Sequence, residues 1–502
     1  MRDETDWAAE ADRAYEELLE RVGEAQPEPR LHATRRACEL LGDVHETFGM
    51  IHITGTNGKT STARIAEALA GAAGSRTGLL SSPHLVRVTE RIRIGGAPIS
   101  DERFAVNWDD IRPIVELVDA ELERAGEPRL TFFEALTVLG FACFTDAGVE
   151  VGVVEVGMGG EWDSTNVADA DVAVFTPIAL DHVDRLGATV AEIARTKAGI
   201  IKPGCAVVTA EQRPEALAEL RRAAELRGAE LRVEGDDFGV LSDRLAVGGR
   251  LVELRGIAGP HEAAGLRLIG EHQARNAALA LAAVESFYGE PLTDDEVAAG
   301  LAAARSPGRL EVIGTEPTVV VDAAHNPHGA DRLAAAVREA FAFDELVLVL
   351  GVLADKEVAG IAEVLAPLAS RIIATASSSS RAIPAWELSE RLREVLGDET
   401  ADAKGLQSVD EARDAFDLAR AEAVALAREG VSTGVLITGS ITLIGEAVAA
   451  AEADGWRAAP GGAAPLEIGA GPGLAGAAHP DPAHPDPAHP DPARPDPEED
   501  RA

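Results

Sequence analysis

Met50-Ile-His-Ile-Thr-Gly-Thr-Asn-Gly-Lys-Thr-Ser-Thr62 is the stretch from which the fold can be read. Met50 to Ile53 form a short apolar run of strand character. Gly55-Thr-Asn-Gly58 is a glycine loop, and Lys59-Thr60-Ser61 opens a helix predicted to run to about Ala72. Glycines let consecutive backbone N–H groups curl around a phosphate. The helix that follows presents its positive end to the anion. Lys59 adds a point charge, and Thr60 or Ser61 supplies a hydroxyl suited to Mg²⁺. A full Walker pattern would need glycine five places before Gly58, where Ile53 stands, so the loop is a compact variant unlike that of a GTPase. An ordinary Gly-rich turn is the blander reading. Against it, strand, loop, Lys-Thr and helix occur in the order that phosphate binding demands.

The 502-residue chain around this stretch has room for two or three domains. Its 85 acidic and 46 basic residues give a formal charge of −39, and only five of the basic residues are lysines (59, 197, 202, 356, 404). An acidic, lysine-poor surface fits the salt-rich cytosol of a halophile, where screening shortens the range of self-repulsion. It argues against nucleic acid as a partner, because phosphates need a basic face. The three cysteines (38, 143, 205) are scattered and support neither a disulfide framework nor a thiolate metal site. The acidic N-terminus does not read as a signal peptide. No run approaches the roughly 20 apolar residues of a membrane span. A soluble, cytoplasmic monomer with no nucleic-acid or membrane partner is expected.

Residues 1–45 read as two helices broken at Gln26-Pro-Glu-Pro29. After the phosphate loop, Gly78 to Leu85 is a short strand ending in Ser81 and Ser82. Either hydroxyl could complete a Mg²⁺ shell, since α/β sheets bind ligands at such strand ends; a plain turn is the alternative. Arg87, Arg91 and Arg93 alternate along the next segment and face either a polyanion or solvent. Leu130-Thr-Phe-Phe-Glu134 opens an apolar helix, with Thr131 and Glu134 at capping-box spacing. Phe132 and Phe133 are either core or offer one ring for stacking, in a chain with only 4% aromatic residues.

Val151 to Gly160 reads as a buried strand that ends in Glu155 and glycines. A carboxylate in an apolar run is costly unless it is paired or binds metal, which makes Glu155 a candidate Mg²⁺ ligand. Asp163 and Asn166 follow in a polar loop. The strand from Asp171 ends in Asp181-His182, which makes His182 a second candidate. Lys197, on the next helix, is either ion-paired or carbamylated by CO₂, which would turn a cation into a carboxylate-like ligand. An apolar helix begins near Asn276, and Ser306-Pro-Gly-Arg309 punctuates the chain. Beyond it, strands at 318–321, 345–350, 371–375 and 434–438 each run into a polar or Gly-rich turn and a helix, the pattern of a parallel sheet. From about residue 455 the chain becomes Pro-rich, with Ala-His-Pro-Asp-Pro repeats at 478, 483 and 488. That composition predicts an extended, disordered tail.

Taken in order, Gly55-Thr-Asn-Gly-Lys-Thr60, Ser81-Ser-Pro-His-Leu85, Leu130-Thr-Phe-Phe-Glu134, Glu155-Val-Gly-Met-Gly-Gly160, Leu180-Asp-His182, Lys197-Ala-Gly-Ile200, Pro307-Gly-Arg309, Asp322-Ala-Ala-His-Asn-Pro327 and Asp355-Lys356 resemble the folylpolyglutamate synthase/dihydrofolate synthase family of the Mur-ligase superfamily. The resemblance implies an α/β fold with a P-loop, parallel-sheet ATPase domain (1–305) and a smaller Rossmann-like glutamate-ligase domain (306–454), ahead of the Pro-rich tail (455–502) that composition predicts to be disordered. It implies ATP-dependent ligation of L-glutamate to dihydropteroate, to a folate, or to both. ATP would be held by Gly58, Lys59, Thr60, Ser61, Asn276, Arg309 and Asp322. Mg²⁺ would lie at Ser82, Glu155 and His182, with Lys197 carbamylated. Thr131, Phe132, Phe133, Glu134, Trp162, Asp163 and Ser164 would line the pterin pocket. His325 would sit near the reacting phosphate and Lys356 near the inter-domain cleft, so that Lys59, His182, Lys197 and His325 carry the catalysis. Glu161 and Thr442 depart from the family pattern, at places that concern pterin and glutamate recognition. A Mur-type ligase acting on another carboxylate is the alternative.

Overall fold

Alternating apolar runs and glycine turns assemble here into two large sheets with helices packed on their faces, and a small three-stranded sheet besides. The computed structural model describes residues 5–23, 26–246, 248–427 and 431–456. The Pro-rich tail and its histidines, from residue 457 on, lie outside the described residues.

The strands of the first sheet are β1 (Gly49–Thr54), β2 (Thr77–Leu80), β3 (Ile92–Ile94), β4 (Ala97–Pro98), β5 (Val151–Glu155), β6 (Val172–Phe175), β7 (Ala206–Thr209) and β8 (Glu230–Val233). They lie in the order β4-β3-β2-β5-β1-β6-β7-β8. From β2 to β8 every pairing is parallel, while β3 and β4 add an antiparallel edge. Strand β1 is central because Met50, Ile51 and Ile53 are apolar enough to be buried on both faces. The chain leaves β1 toward β2 on one side, whereas it leaves the neighbouring β5 toward β6 on the other. The loop after β1 therefore opens at a switch point, where α/β sheets leave a crevice for ligands.

The helix Lys59–Ala72 packs Ile65, Ala66, Leu69 and Ala70 against one face of this sheet, together with the alanine-rich helix Glu271–Tyr288. On the other face lies the helix Phe132–Ala147, capped by reciprocal Thr131–Glu134 bonds. Arg21 and Arg30 tie the N-terminal segment to this layer, Arg21 through Asp119 (2.9 Å) and Arg30 through Glu134 (2.9 Å). Three antiparallel strands follow: β9 (Gly239–Ala246), β10 (Gly249–Arg255) and β11 (Ala264–Leu266).

The second sheet contains β12 (Glu311–Thr315), β13 (Thr318–Asp322), β14 (Glu345–Leu350), β15 (Arg371–Ala376), β16 (Gln407–Glu411) and β17 (Thr433–Thr438), ordered β12-β13-β17-β14-β15-β16. All pairings are parallel except β12–β13. Strand β16 is mostly exposed and polar, which is why it did not stand out from the sequence. Among the described residues no helix is long and apolar enough to cross a membrane.

Candidate active site

Loops from both sheets converge on one cleft of about 680 Å³. Its floor is the phosphate loop. Gly58 has φ +92°, and a Cβ there would meet Asn276 Oδ1 at 2.8 Å, so both backbone and packing demand glycine. Gly55 is held as closely: a Cβ would lie 1.9 Å from Thr176 Oγ1. Lys59 Nζ arches over the loop and donates to the carbonyls of Gly55 (3.2 Å) and Thr56 (3.3 Å). The two hydroxyls after it diverge. Thr60 Oγ1 donates to Glu155 Oε1 at 3.0 Å, whereas Ser61 Oγ is buried against Ser306 Oγ at 3.1 Å. Of the alternatives left open by sequence, Thr60 is the hydroxyl that faces the carboxylate.

Glu155 ends β5 and is 2% exposed, and its Oε2 finds no protein partner. Burial raises its pKa, against the opposing pull of Lys59, Thr60 and Arg309. A buried carboxylate with one unsatisfied oxygen beside a hydroxyl is a donor set that suits a hard divalent cation. Ser82 lines the same cleft. His182 also lines it, with φ +49°, its imidazole 3.8 Å from Asp181. Burial, then the lysines around it, lowers the pKa of His182 despite Asp181. Among the described residues no three His, Cys, Asp or Glu side chains cluster as a metal cage. Mg²⁺ does not need one, since it commonly takes one or two carboxylates, waters and substrate phosphates.

Lys197 does not line the cleft. It lies behind the loop, 4% exposed, and donates to Gly55 O at 2.8 Å. Burial, reinforced by Lys59, lowers its pKa to about 7.

The second sheet supplies the opposite wall. The Asp322 carboxylate accepts from the backbone N–H of Leu310 (2.8 Å) and of Ala324 (2.9 Å), which shapes the turns that present Arg309 and His325. Nδ1 of His325 donates to Ala323 O at 2.9 Å, so Nε2 carries the lone pair. Burial first, then Lys356, pushes the His325 pKa down to about 4. Lys356 Nζ approaches Asp181 Oδ1 at 3.4 Å and thereby bridges the two walls. Burial resists ionisation of Asp181, but His182, Lys356, His325 and Lys59 outweigh it and its pKa falls.

The expected pterin-pocket residues divide. Thr131, Phe133 and Asp163 line the cleft. Phe132 is 3% exposed and packs edge-on against Tyr15, with the Arg91 guanidinium 5.2 Å above its ring. That is a core role for Phe132, and Arg91 faces neither solvent nor an open groove. Arg93 is likewise engaged, with Glu67 at 2.9 Å. The Glu134 carboxylate is taken up by Arg30 and by the Thr131 N–H at 2.8 Å. Trp162 is half-buried against the apolar cluster that contains Val156, Ile178 and Leu186, and Ser164 bonds Thr137 at 2.8 Å. Asp163 accepts from Met158 N (2.9 Å) and Thr165 N (3.1 Å), which shapes the loop after Glu155. Asn57, Asp181, Asn326 and His328 also lie at this junction; the first three belong to the quoted motifs and His328 follows directly after one, but only the fold shows what they touch.

Comparison with known proteins follows the same division. Residues 53–284 match the Mur ligase middle domain and residues 308–441 the Mur ligase glutamate ligase domain. The chain is 43% identical over 445 residues to the dihydrofolate synthase/folylpolyglutamate synthase of Mycobacterium tuberculosis, covering 86% of this chain and 91% of that protein. The folylpolyglutamate synthase of M. tuberculosis complexed with ADP and AMPPCP superposes with a TM-score of 0.84 at 42% identity, over 89% of this chain and 99% of that one. E. coli FolC in complex with DHPP and ADP superposes with a TM-score of 0.73 at 30% identity, over 85% and 94% of the two chains. With its phosphate loop, both its sheets and nearly the full length of such a relative in common, the chain belongs to the dihydrofolate synthase/folylpolyglutamate synthase family of Mur ligases.

Proposed function

We propose that this protein is an ATP-dependent ligase that joins L-glutamate to the carboxylate of dihydropteroate, of a folate, or of both. The observation that carries the reading is the single cleft in which Lys59, Thr60 and Glu155 face Arg309, His325 and Lys356. Relatives solved with ADP, AMPPCP or DHPP support it.

The chemistry follows from the parts. A free carboxylate acylates poorly because its leaving group would be oxide. Transfer of the terminal phosphoryl group of ATP to a carboxylate oxygen gives an acyl phosphate and ADP. The glutamate amine then attacks the acyl carbon, phosphate leaves with the C–O bond pair, and the nitrogen loses its proton. Such transfers depend mainly on positioning and on charge neutralisation. Lys59 and the loop amides hold the phosphates. Arg309 offsets charge from the opposite wall, and Asn276 and Asp322 complete the nucleotide site. Neutral His325 presents Nε2 near the reacting groups, where it can accept the amine proton. Lys356 and the walls exclude water. Thr131, Phe133 and Asp163 border the acceptor side.

Mg²⁺ fits the orphaned oxygen of Glu155, with Thr60, Ser82 and His182 nearby, and would neutralise phosphate charge there. Lys197 is the residue for carbamylation, since a lysine with a pKa near 7 keeps a neutral amine whose lone pair can attack the carbon of CO₂ and release a proton to give the carbamate. The division at 305/306 into nucleotide and glutamate-ligase domains is supported by the gap between the two matched segments. A cytoplasmic monomer completes the reading.

The test is phosphate release from ATP with a panel of pterin acids and amino acids at high salt. Release that requires both a pterin acid and glutamate is expected. Absence of release with either pterin acceptor, or release with another acid and amino acid only, would overturn the proposal.

A further inference from the structure

The helix Pro327–Ala340 is bound at both ends to the first-sheet half of the molecule. At its start, Asn326 and Asn57 of the phosphate loop form a reciprocal amide pair: Asn57 Nδ2 donates to Asn326 Oδ1 (3.3 Å) and Asn326 Nδ2 to Asn57 Oδ1 (3.2 Å). Asn57 Nδ2 also lies 2.9 Å from His328 Nδ1. Asn326 is simultaneously the helix N-cap, accepting from Gly329 N at 2.8 Å, and is 7% exposed. About 20 Å further along, Glu339 takes both terminal nitrogens of Arg250 on β10 at 2.8 Å. Arg250 is itself 3% exposed and is also paired with Asp243. Between the ends the packing is close: a Cβ on Gly270 would lie 3.2 Å from Ala336 Cβ, and Ile269 joins the core that contains Leu333 and Val337.

We propose that this helix is a positioning strut, which uses the Asn57–Asn326 pair at one end and the Arg250–Glu339 pair at the other to hold the Asp322–His325 turn over the phosphate loop. The reasoning is geometric. Asn326 follows His325 directly and cannot move without carrying it. The amide pair reads the loop through Asn57, whose backbone is part of the anion cradle. The ion pair at the far end adds a second fixed point beyond the packing of Gly270 and Ile269, so that the helix is tied to the first-sheet half at both ends. Asn326, Arg250 and Glu339 therefore act through His325 and Asp322, and Asn57 joins them by its side-chain amide while its backbone stays in the anion cradle. Their importance to the reaction rests on the proposed ligase reading, whereas their role in holding the two halves together does not.

The experiment uses the full chain. Spin labels are placed at Leu226→Cys and Trp386→Cys, exposed positions (73% and 57%) on the first- and second-sheet halves, since the three native cysteines are buried. Electron–electron distance distributions are then compared for Asn326→Ser, Asn57→Ser and Glu339→Ala. Serine caps a helix about as well as asparagine but is too short to reach across. Glu339→Ala leaves Arg250 paired with Asp243, so neither end depends on a misfolding variant. One narrow distance in the parent and broader distributions in the variants, at unchanged melting midpoints, are expected. The double variant Asn57→Ser/Asn326→Ser should match the singles, because partners in one pair are not additive. Distributions that stay narrow in all variants would overturn the strut. Where ligase activity is measured, kcat should fall about tenfold, the loss of one or two net hydrogen bonds, with the KM for ATP nearly unchanged. An unaltered kcat alongside broadened distances would overturn the positioning role. An inactive parent would sink the ligase reading and leave the distance test standing.

Discussion

Replacing Lys197 by methionine separates stability from activity, and the size of the effect can be worked from its surroundings. In the folded protein its amine is buried behind the phosphate loop with a pKa of about 7, against an ordinary 10.5. The unfolded chain therefore binds more protons than the folded one between those values, and stability rises with pH across that window. At pH 7 holding this lysine in place costs about 4 kcal/mol, and at pH 9 about 2 kcal/mol. Methionine has a similar volume and no charge. It removes this cost but also the bond to Gly55 O, worth about 1 kcal/mol net and more if the carbonyl is left dry. In degassed buffer Lys197→Met should thus be the more stable protein at pH 7, by about 1–3 kcal/mol. Its advantage should shrink by about 2 kcal/mol by pH 9. Urea unfolding at both pH values measures this, and taking the difference between the two proteins cancels the other titrating groups. The variant should nonetheless lose ligase activity, and bicarbonate at pH 8.5 should raise the melting temperature of the parent only, because a ligand that reacts with the folded state alone stabilises it. A difference that does not change between pH 7 and 9 would show that Lys197 is not held near neutrality. The argument would then fail at its first step.

Three further outcomes follow from the same geometry. His52 is fully buried in β1 with its pKa driven to about 3 by burial, so the folded state refuses a proton that the unfolded chain accepts near pH 6.5; stability should fall as pH drops below that value, by about 2 kcal/mol from this residue at pH 5. His52→Gln should flatten the acid limb of the melting curve, and an identical limb would refute the assignment. Lys59→Ala should lower kcat by about 10²–10³, the scale of losing one preorganised charge stabiliser, with little change in circular dichroism; a loss under tenfold in phosphate-release assays would remove Lys59 from the site. The formal charge of −39 predicts that melting temperature rises steadily from 0.1 to 2 M KCl as repulsion is screened, and a flat profile would contradict this.

Short-range patterns carried most of the fold. The apolar run before Gly55, the Lys-Thr start of the helix, the Thr131–Glu134 cap and the repeated strand–turn–helix order are local, and each forms as the residues imply. Glu155 was legible for a related reason: a carboxylate closing an apolar strand needs a partner whatever surrounds it. What sequence could not decide were choices between equivalent neighbours. Thr60 and Ser61 have the same chemistry, and only the sheet geometry turns one toward Glu155 and the other toward Ser306. Phe132 and Phe133 differ by one helical step of about 100°, which sends the first into the core beside Tyr15 and the second to the cleft. Asn57 meets Asn326 across 269 positions of chain, and Arg250 meets Glu339 across 89, separations that no local pattern encodes. Periodicity and residue chemistry thus set which elements form and which groups are costly to bury, because those energies are local. The tertiary structure alone set which of those groups meet, because two sheets must first pack before their loops can share one cleft.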